Sequence, residues 1–227
     1  MISIPRLYPI VDATCFAVNP ELIVFAEQLL DAGCTLLQYR NKSGSARLML
    51  EQTRELRSLL GSHPKTVNYA TLRAGTQVPR PATHPSVRLI MNDRADLALI
   101  AEFDGVHVGQ NDLLPESVRR IIGAERWLGV STHNPEQVAE ADRTSADYVA
   151  IGPVFPTISK ERPDPVVGLE GVRRARQLTR KPLVAIGGIT RANAASVIEA
   201  GADSVAVISD LLRDPRKSAE EFFRILR

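Results

Sequence analysis

The sequence predicts a closed barrel of eight parallel strands alternating with helices, a (β/α)8 TIM barrel, on three observations. Short apolar, β-rich runs alternate with longer amphipathic ones along the chain. The short runs are continuously apolar rather than alternating, which is the pattern of strands covered on both faces in parallel sheets. A length of 227 residues suits one such barrel. An open doubly wound sheet shares the first two features, because strand order is invisible in a sequence, but eight β/α units favour closure. The chain is read as a single domain over residues 1–227.

The elements follow in order. Strands are placed at 7–11, 36–39, 88–91, 105–108, 127–130, 148–151, 183–186 and 204–207. Helical periodicity falls between them at 20–32, 45–60, 135–141, 169–178 and 191–200, with a last helix near 215–226. Two similar phrases, Asp31-Ala32-Gly33-Cys34 and Glu199-Ala200-Gly201-Ala202-Asp203, precede the second and eighth strands; in each a glycine ends the helix through a left-handed cap. One segment breaks the rhythm. Residues 61–86 carry Pro64, Pro79, Pro81 and Pro85 without periodicity, and read as a surface insertion between the second helix and third strand. A lid or an oligomer contact is the functional alternative for it.

Composition narrows the function classes. With 44% hydrophobic residues, 24% charged residues and a net charge of +2, the chain lacks the basic excess of a nucleic-acid surface. No apolar run approaches the roughly 20 residues needed to span a bilayer, and MISIPRLYPIVD has no signal-peptide pattern. Cys15 and Cys34 form neither a disulfide framework nor a metal-ligand spacing. A cytoplasmic protein is expected, without nucleic-acid or membrane partners, acting on small anions as a monomer or homodimer.

In a barrel of this kind, reactive groups sit where strands end and βα loops begin. After the second strand, Gln38-Tyr39-Arg40-Asn41-Lys42 places Gln38, Arg40 and Lys42 on one side by alternation. An Arg fork and a Lys point charge suit phosphate oxygens, although a solvated strand end can read the same way. Asn92-Asp93 follows the third strand and Asp112 the fourth, so two carboxylates on adjacent strands can share Mg²⁺. Singly, each Asp better suits a helix cap; the two together, beside the Arg/Lys strand, favour the metal. His107 reads as a packed histidine, His133 as helix-entry packing, and Ser131 as the better ligand contact on the fifth strand. His63 and His84 fall in the insertion with no evident role. The loop from Thr157 through Ile158, Ser159 and Lys160 suits closure on an anion. Gly187-Gly188 and Ile208-Ser209 end the seventh and eighth strands, where barrels bind phosphate through backbone amides.

Taken in order, QYRNK, MNDR, GVHVGQND, GVSTHN, DYVAIGPVFPTISK, VAIGGI and SVAVIS resemble the thiamine phosphate synthase family over nearly the whole chain outside 61–86. The resemblance implies a barrel enzyme that joins a diphosphorylated aminopyrimidine to a thiazole phosphate and releases pyrophosphate. It implies that Gln38, Arg40, Lys42, Asn92, Ser131 and Lys160 hold the pyrimidine diphosphate, Arg40, Lys42 and Lys160 being the catalytic cations. Tyr39 and Asn41 belong to the same run, although they stand where the family usually has Leu and Glu. Asp93 and Asp112 would be the Mg²⁺ ligands, and Thr157, Ile158, Ser159, Gly188, Ile208 and Ser209 the thiazole phosphate contacts. YPIVD also departs from the usual Tyr-x-x-Thr-Asp. Such chemistry needs no strong base or covalent nucleophile, in keeping with readable motifs that hold no Ser/His/Asp or Cys/His arrangement. A thiazole tautomerase-like barrel would need neither the paired carboxylates nor QxRxK; a non-catalytic phosphate-binding barrel is the other alternative.

Overall fold

The computed structural model describes residues 2–62, 87–157 and 164–227. The strands are β1 (Leu7–Asp12), β2 (Leu36–Arg40), β3 (Arg88–Asn92), β4 (Gly105–Val108), β5 (Trp127–Thr132), β6 (Tyr148–Ile151), β7 (Leu183–Ile186) and β8 (Ser204–Val207). They pair in chain order, all parallel, and β1 pairs with β8, so the sheet closes on itself and the open-sheet alternative is excluded. The helices are α1 (Asn19–Asp31), α2 (Ala46–Ser62), α3 (Ala95–Ile100), α4 (Pro115–Ile122), α5 (Pro135–Asp142), α6 (Gly168–Leu178), α7 (Ala194–Glu199) and α8 (Pro215–Ile225), one after each strand. Most of the expected insertion lies outside the described residues.

Alternation sorts the strand side chains into two cores. Leu37, Leu89, Val106, Leu128, Val149 and Val205 point outward and pack under the helices. Tyr8, Ile10, Leu36, Ile90, Tyr148, Ala150, Val184 and Ala206 fill the barrel interior. α1 shows why the outer layer forms: Leu22, Phe25, Ala26, Leu29 and Leu30 recur at helical spacing and are buried. Side-chain oxygens of Asn134 and Asp214 cap α5 and α8 by accepting from Gln137 N and Lys217 N.

The end of the barrel where the strands begin is stitched by one device used three times. Asp104, Asp147 and Asp203 each stand just before an even-numbered strand. Their carboxylates accept the amides of Leu89, Leu128 and Leu183 on the preceding strand, at 2.9, 2.7 and 2.8 Å. Each also pairs with an arginine from a helix: Arg57, Arg119 and Arg176 respectively. Charge is thus spent on stability at this end, leaving the other end for ligands.

Candidate active site

An open cavity of about 510 Å³ lies at the end where the strands finish, a size suited to small molecules. Gln38, Arg40 and Lys42 line it from β2, Asn92 and Asp93 from β3, Asp112 from the loop after β4, and Ser131 from β5. Thr157, Gly188, Ile208 and Ser209 line it from the loops after β6, β7 and β8. Ile158, Ser159 and Lys160 lie outside the described residues.

The cations are held in place. Arg40 pairs with Asp12, which is almost wholly buried at the end of β1 and also caps the following turn through Thr14. Lys42 pairs with Asp93. Asp93 has φ of +63°, a left-handed backbone that Asp tolerates better than most residues. Its amide donates to the carbonyl of His107 at 2.8 Å, which fixes that turn against β4. Burial raises the Asp93 pKa, the neighbouring Asp112 carboxylate adds to the rise, and Lys42 opposes it. Asp112 accepts from Gly109 N at 2.8 Å. Neither aspartate caps a helix: Arg94 and Leu114 hold the N-cap positions of α3 and α4, without side-chain capping bonds. The helix-cap reading is therefore excluded for both.

Below these charges lies a polar floor. Gln38 Nε2 donates to Tyr8 Oη at 3.0 Å, and the Tyr8 and Tyr148 hydroxyls meet at 3.0 Å. Tyr148 Oη lies 3.0 Å from His107 Nδ1, and His107 Nε2 lies 2.8 Å from Ser131 Oγ. Burial lowers the His107 pKa to about 4, so the ring is neutral. Burial raises both tyrosines far above their ordinary range. Gly129 makes the arrangement possible: a Cβ there would stand 2.1 Å from the Tyr148 ring and 2.4 Å from His107 Nδ1.

On the opposite wall, Gly188 has φ of +63°, and a Cβ on it would lie 2.5 Å from Pro156 O. Only glycine brings the chain this close to the loop after β6. Ser209 opens a single 3-10 turn, Ser209–Leu211.

The family model described as Thiamine monophosphate synthase matches residues 65–211. A thiamine-phosphate synthase of Koribacter versatilis is 54% identical over 99% of this chain and 97% of its own length. That of Chloroflexus aurantiacus is 43% identical over 90% and 83%. The chain belongs to the thiamine-phosphate synthase family. A solved thiamine phosphate pyrophosphorylase from Pyrococcus furiosus superposes with a TM-score of 0.77 at 30% identity, covering 97% of this chain and 95% of that one.

Two positions where this thiamine-phosphate synthase family member departs from the expected pattern do not bring their side chains to the cavity. The Tyr39 hydroxyl donates to Gln52 on α2. Asn41 Oδ1 accepts from Ser43 N and Gly44 N at 3.0 and 2.7 Å, while its Nδ2 donates to Gln52. Both are odd members of a run whose even members face inward, and their side chains fasten α2 to β2. The sequence reading passed over Asp12, Tyr8 and Tyr148. All three fall on inward strand positions, and that alternation was the available signal.

Proposed function

We propose that this protein is a thiamine-phosphate synthase, a transferase that joins 4-amino-2-methyl-5-(diphosphooxymethyl)pyrimidine to 4-methyl-5-(2-phosphooxyethyl)thiazole. The observation that carries this reading is one cavity lined on one side by Gln38, Arg40, Lys42, Asn92, Asp93, Asp112 and Ser131, and on the other by Thr157, Gly188, Ile208 and Ser209. The first set suits a diphosphate and its heterocycle, the second a monophosphate approached by backbone.

The carbon–oxygen bond to the diphosphate breaks with its electron pair leaving on oxygen. The aminopyrimidine stabilises the methylene cation, and the thiazole nitrogen then donates its lone pair to that carbon. Thiamine phosphate and pyrophosphate result, and no base is required. Arg40 and Lys42, with Lys160 from the loop, neutralise charge as it grows on the leaving group. The Asp12 pairing orients Arg40 for this work. The remaining task is positioning two substrates in one cavity.

Asp93 and Asp112 fit a Mg²⁺ ion. They are two neighbouring carboxylates, each raising the need for a counter-charge, and no group of three His, Cys, Asp or Glu ligands stands among the described residues. Mg²⁺ habitually takes one or two carboxylates and completes its shell from phosphate and water. When bound it would supply further stabilisation of the diphosphate charge.

A turnover assay with both substrates tests the assignment. Thiamine phosphate and pyrophosphate form in Mg²⁺ and fail to form in EDTA. Diphosphate binding without product would support a non-catalytic barrel, and thiazole isomerisation without diphosphate use would support the tautomerase reading.

A further inference from the structure

The floor of the cavity is a chain of hydrogen bonds. It runs from Gln38 on β2 through Tyr8 on β1 and Tyr148 on β6 to His107 on β4 and Ser131 on β5. Gln38, Tyr8, His107 and Ser131 line the cavity, whereas Tyr148 is fully buried and touches it only through its neighbours.

Such a chain has a direction. Gln38 Nε2 donates to Tyr8 Oη, and in the arrangement that keeps every hydroxyl proton within the chain Tyr8 donates in turn to Tyr148 Oη. In the same arrangement Tyr148 donates to His107 Nδ1, which leaves the ring proton on Nε2 to donate to Ser131 Oγ. The two ends are thereby fixed together. That arrangement leaves Gln38 with its carbonyl oxygen as an acceptor outside the chain, and Ser131 with a hydroxyl proton to donate. Reversing the amide would reverse every bond and exchange both ends.

We infer that Tyr8, Tyr148 and His107 are positioning residues whose hydrogen-bond direction makes Gln38 an acceptor and Ser131 a donor, so that the site selects a pyrimidine carrying an exocyclic amine and an anionic leaving group. This rests on the proposed reaction. An amine N–H needs an acceptor at Gln38, and a diphosphate oxygen needs a donor at Ser131; the opposite direction would set donor against donor at one end and lone pair against anion at the other. The barrel reserves space for the central link, since among the described residues Gly129 is the side-chain-free position beside the Tyr148–His107 bond.

The test uses two readouts. ¹⁵N NMR of the intact protein at neutral pH reads the His107 tautomer, expected to be protonated at Nε2 and bare at Nδ1. Calorimetry then compares affinities for the 4-amino and 4-oxo pyrimidine monophosphates, so that no chemistry intervenes. Wild type favours the amine. In Tyr148→Phe, the Gln38 amide and the His107 ring lose their shared constraint, and the amine preference falls about tenfold or more while the imidazole becomes a mixture of tautomers. Tyr8→Phe breaks the chain one link earlier and gives the same change, should Tyr148→Phe not fold. An Nδ1-protonated ring in wild type, or an unchanged amine preference in a folded variant, overturns the inference. Wild-type turnover of the amino diphosphate, measured separately, shows whether the underlying reaction stands.

Discussion

Arg40 and Ser209 divide the chemistry at the scale of single residues. In the proposed reaction Arg40 faces the group on which charge develops, so Arg40→Ala is expected to lower kcat by about 10²–10³-fold. In the same proposal Ser209 faces a phosphate whose charge does not change during reaction, so Ser209→Ala is expected to raise KM for the thiazole phosphate with a smaller change in kcat. Steady-state kinetics with each substrate varied in turn check both; a Ser209→Ala defect confined to the diphosphate would exchange the two half-sites. His107 gives a second residue-scale test, of stability. Burial holds its pKa at about 4 in the folded state against 6.5 for the free side chain. As pH falls below 6.5 the unfolded chain takes up a proton that the folded ring refuses, so stability declines until about pH 4. The total loss is about 3 kcal/mol. Denaturant melts at pH 7, 5.5 and 4.5 should show wild type losing its advantage over His107→Gln across this window; parallel pH profiles would refute it. Arg40, Lys42, Asp93 and Asp112 were legible because each lies at the end of a strand or within four positions after it. The tyrosines were not, because inward Tyr8 and Tyr148, 140 positions apart, become partners only when β1 and β6 face each other across a closed barrel.

Among the elements, strands were easier to place than helices. Every expected strand lies within the observed one, since four or five apolar residues bounded by polar ones leave little latitude. α3 and α4 were not singled out: six and eight residues hold too few turns for a 3.6-residue period to declare itself. α7 begins at Ala194 rather than 191 because Asn193 Oδ1 takes the amide of Thr190 and closes a turn first. The aspartates before β4, β6 and β8 give a prediction at this scale. Asp147→Ala strips both Leu128 N and Arg119 of a partner, which costs about 2 kcal/mol. Because Asp147 lies at the opposite end of the barrel from the cavity, kcat should stay unchanged at permissive temperature. Thermal melts beside a kinetic assay decide the matter; lost activity in a folded variant would show that the two ends communicate.

For the molecule as a whole, closure through β1 and β8 is accomplished by described residues alone, and so replacing 64–84 with a brief Gly/Ser link should leave one cooperative barrel. Coincident unfolding by fluorescence and circular dichroism would support a single domain. Insoluble product would show that the segment is structural, and folded but inactive protein would show that it serves the site. The cavity mouth has a consequence for selectivity. Among the described residues lining it, Asp93, Asp112 and Asp164 outnumber Arg40 and Lys42, and both cations already hold a carboxylate. At the diphosphate half of the cavity a bare anion is therefore expected to bind more weakly than one escorted by a divalent cation, which matches both signs at once. Mg²⁺ and pyrophosphate must then assist one another by the same factor, whichever is added first. Calorimetry in both orders, allowing for the complex they form in solution, should return equal factors, and Asp93→Asn should shrink both. Free orthophosphate, arriving unescorted, is then expected to compete poorly with the metal-bound diphosphate for this half of the cavity.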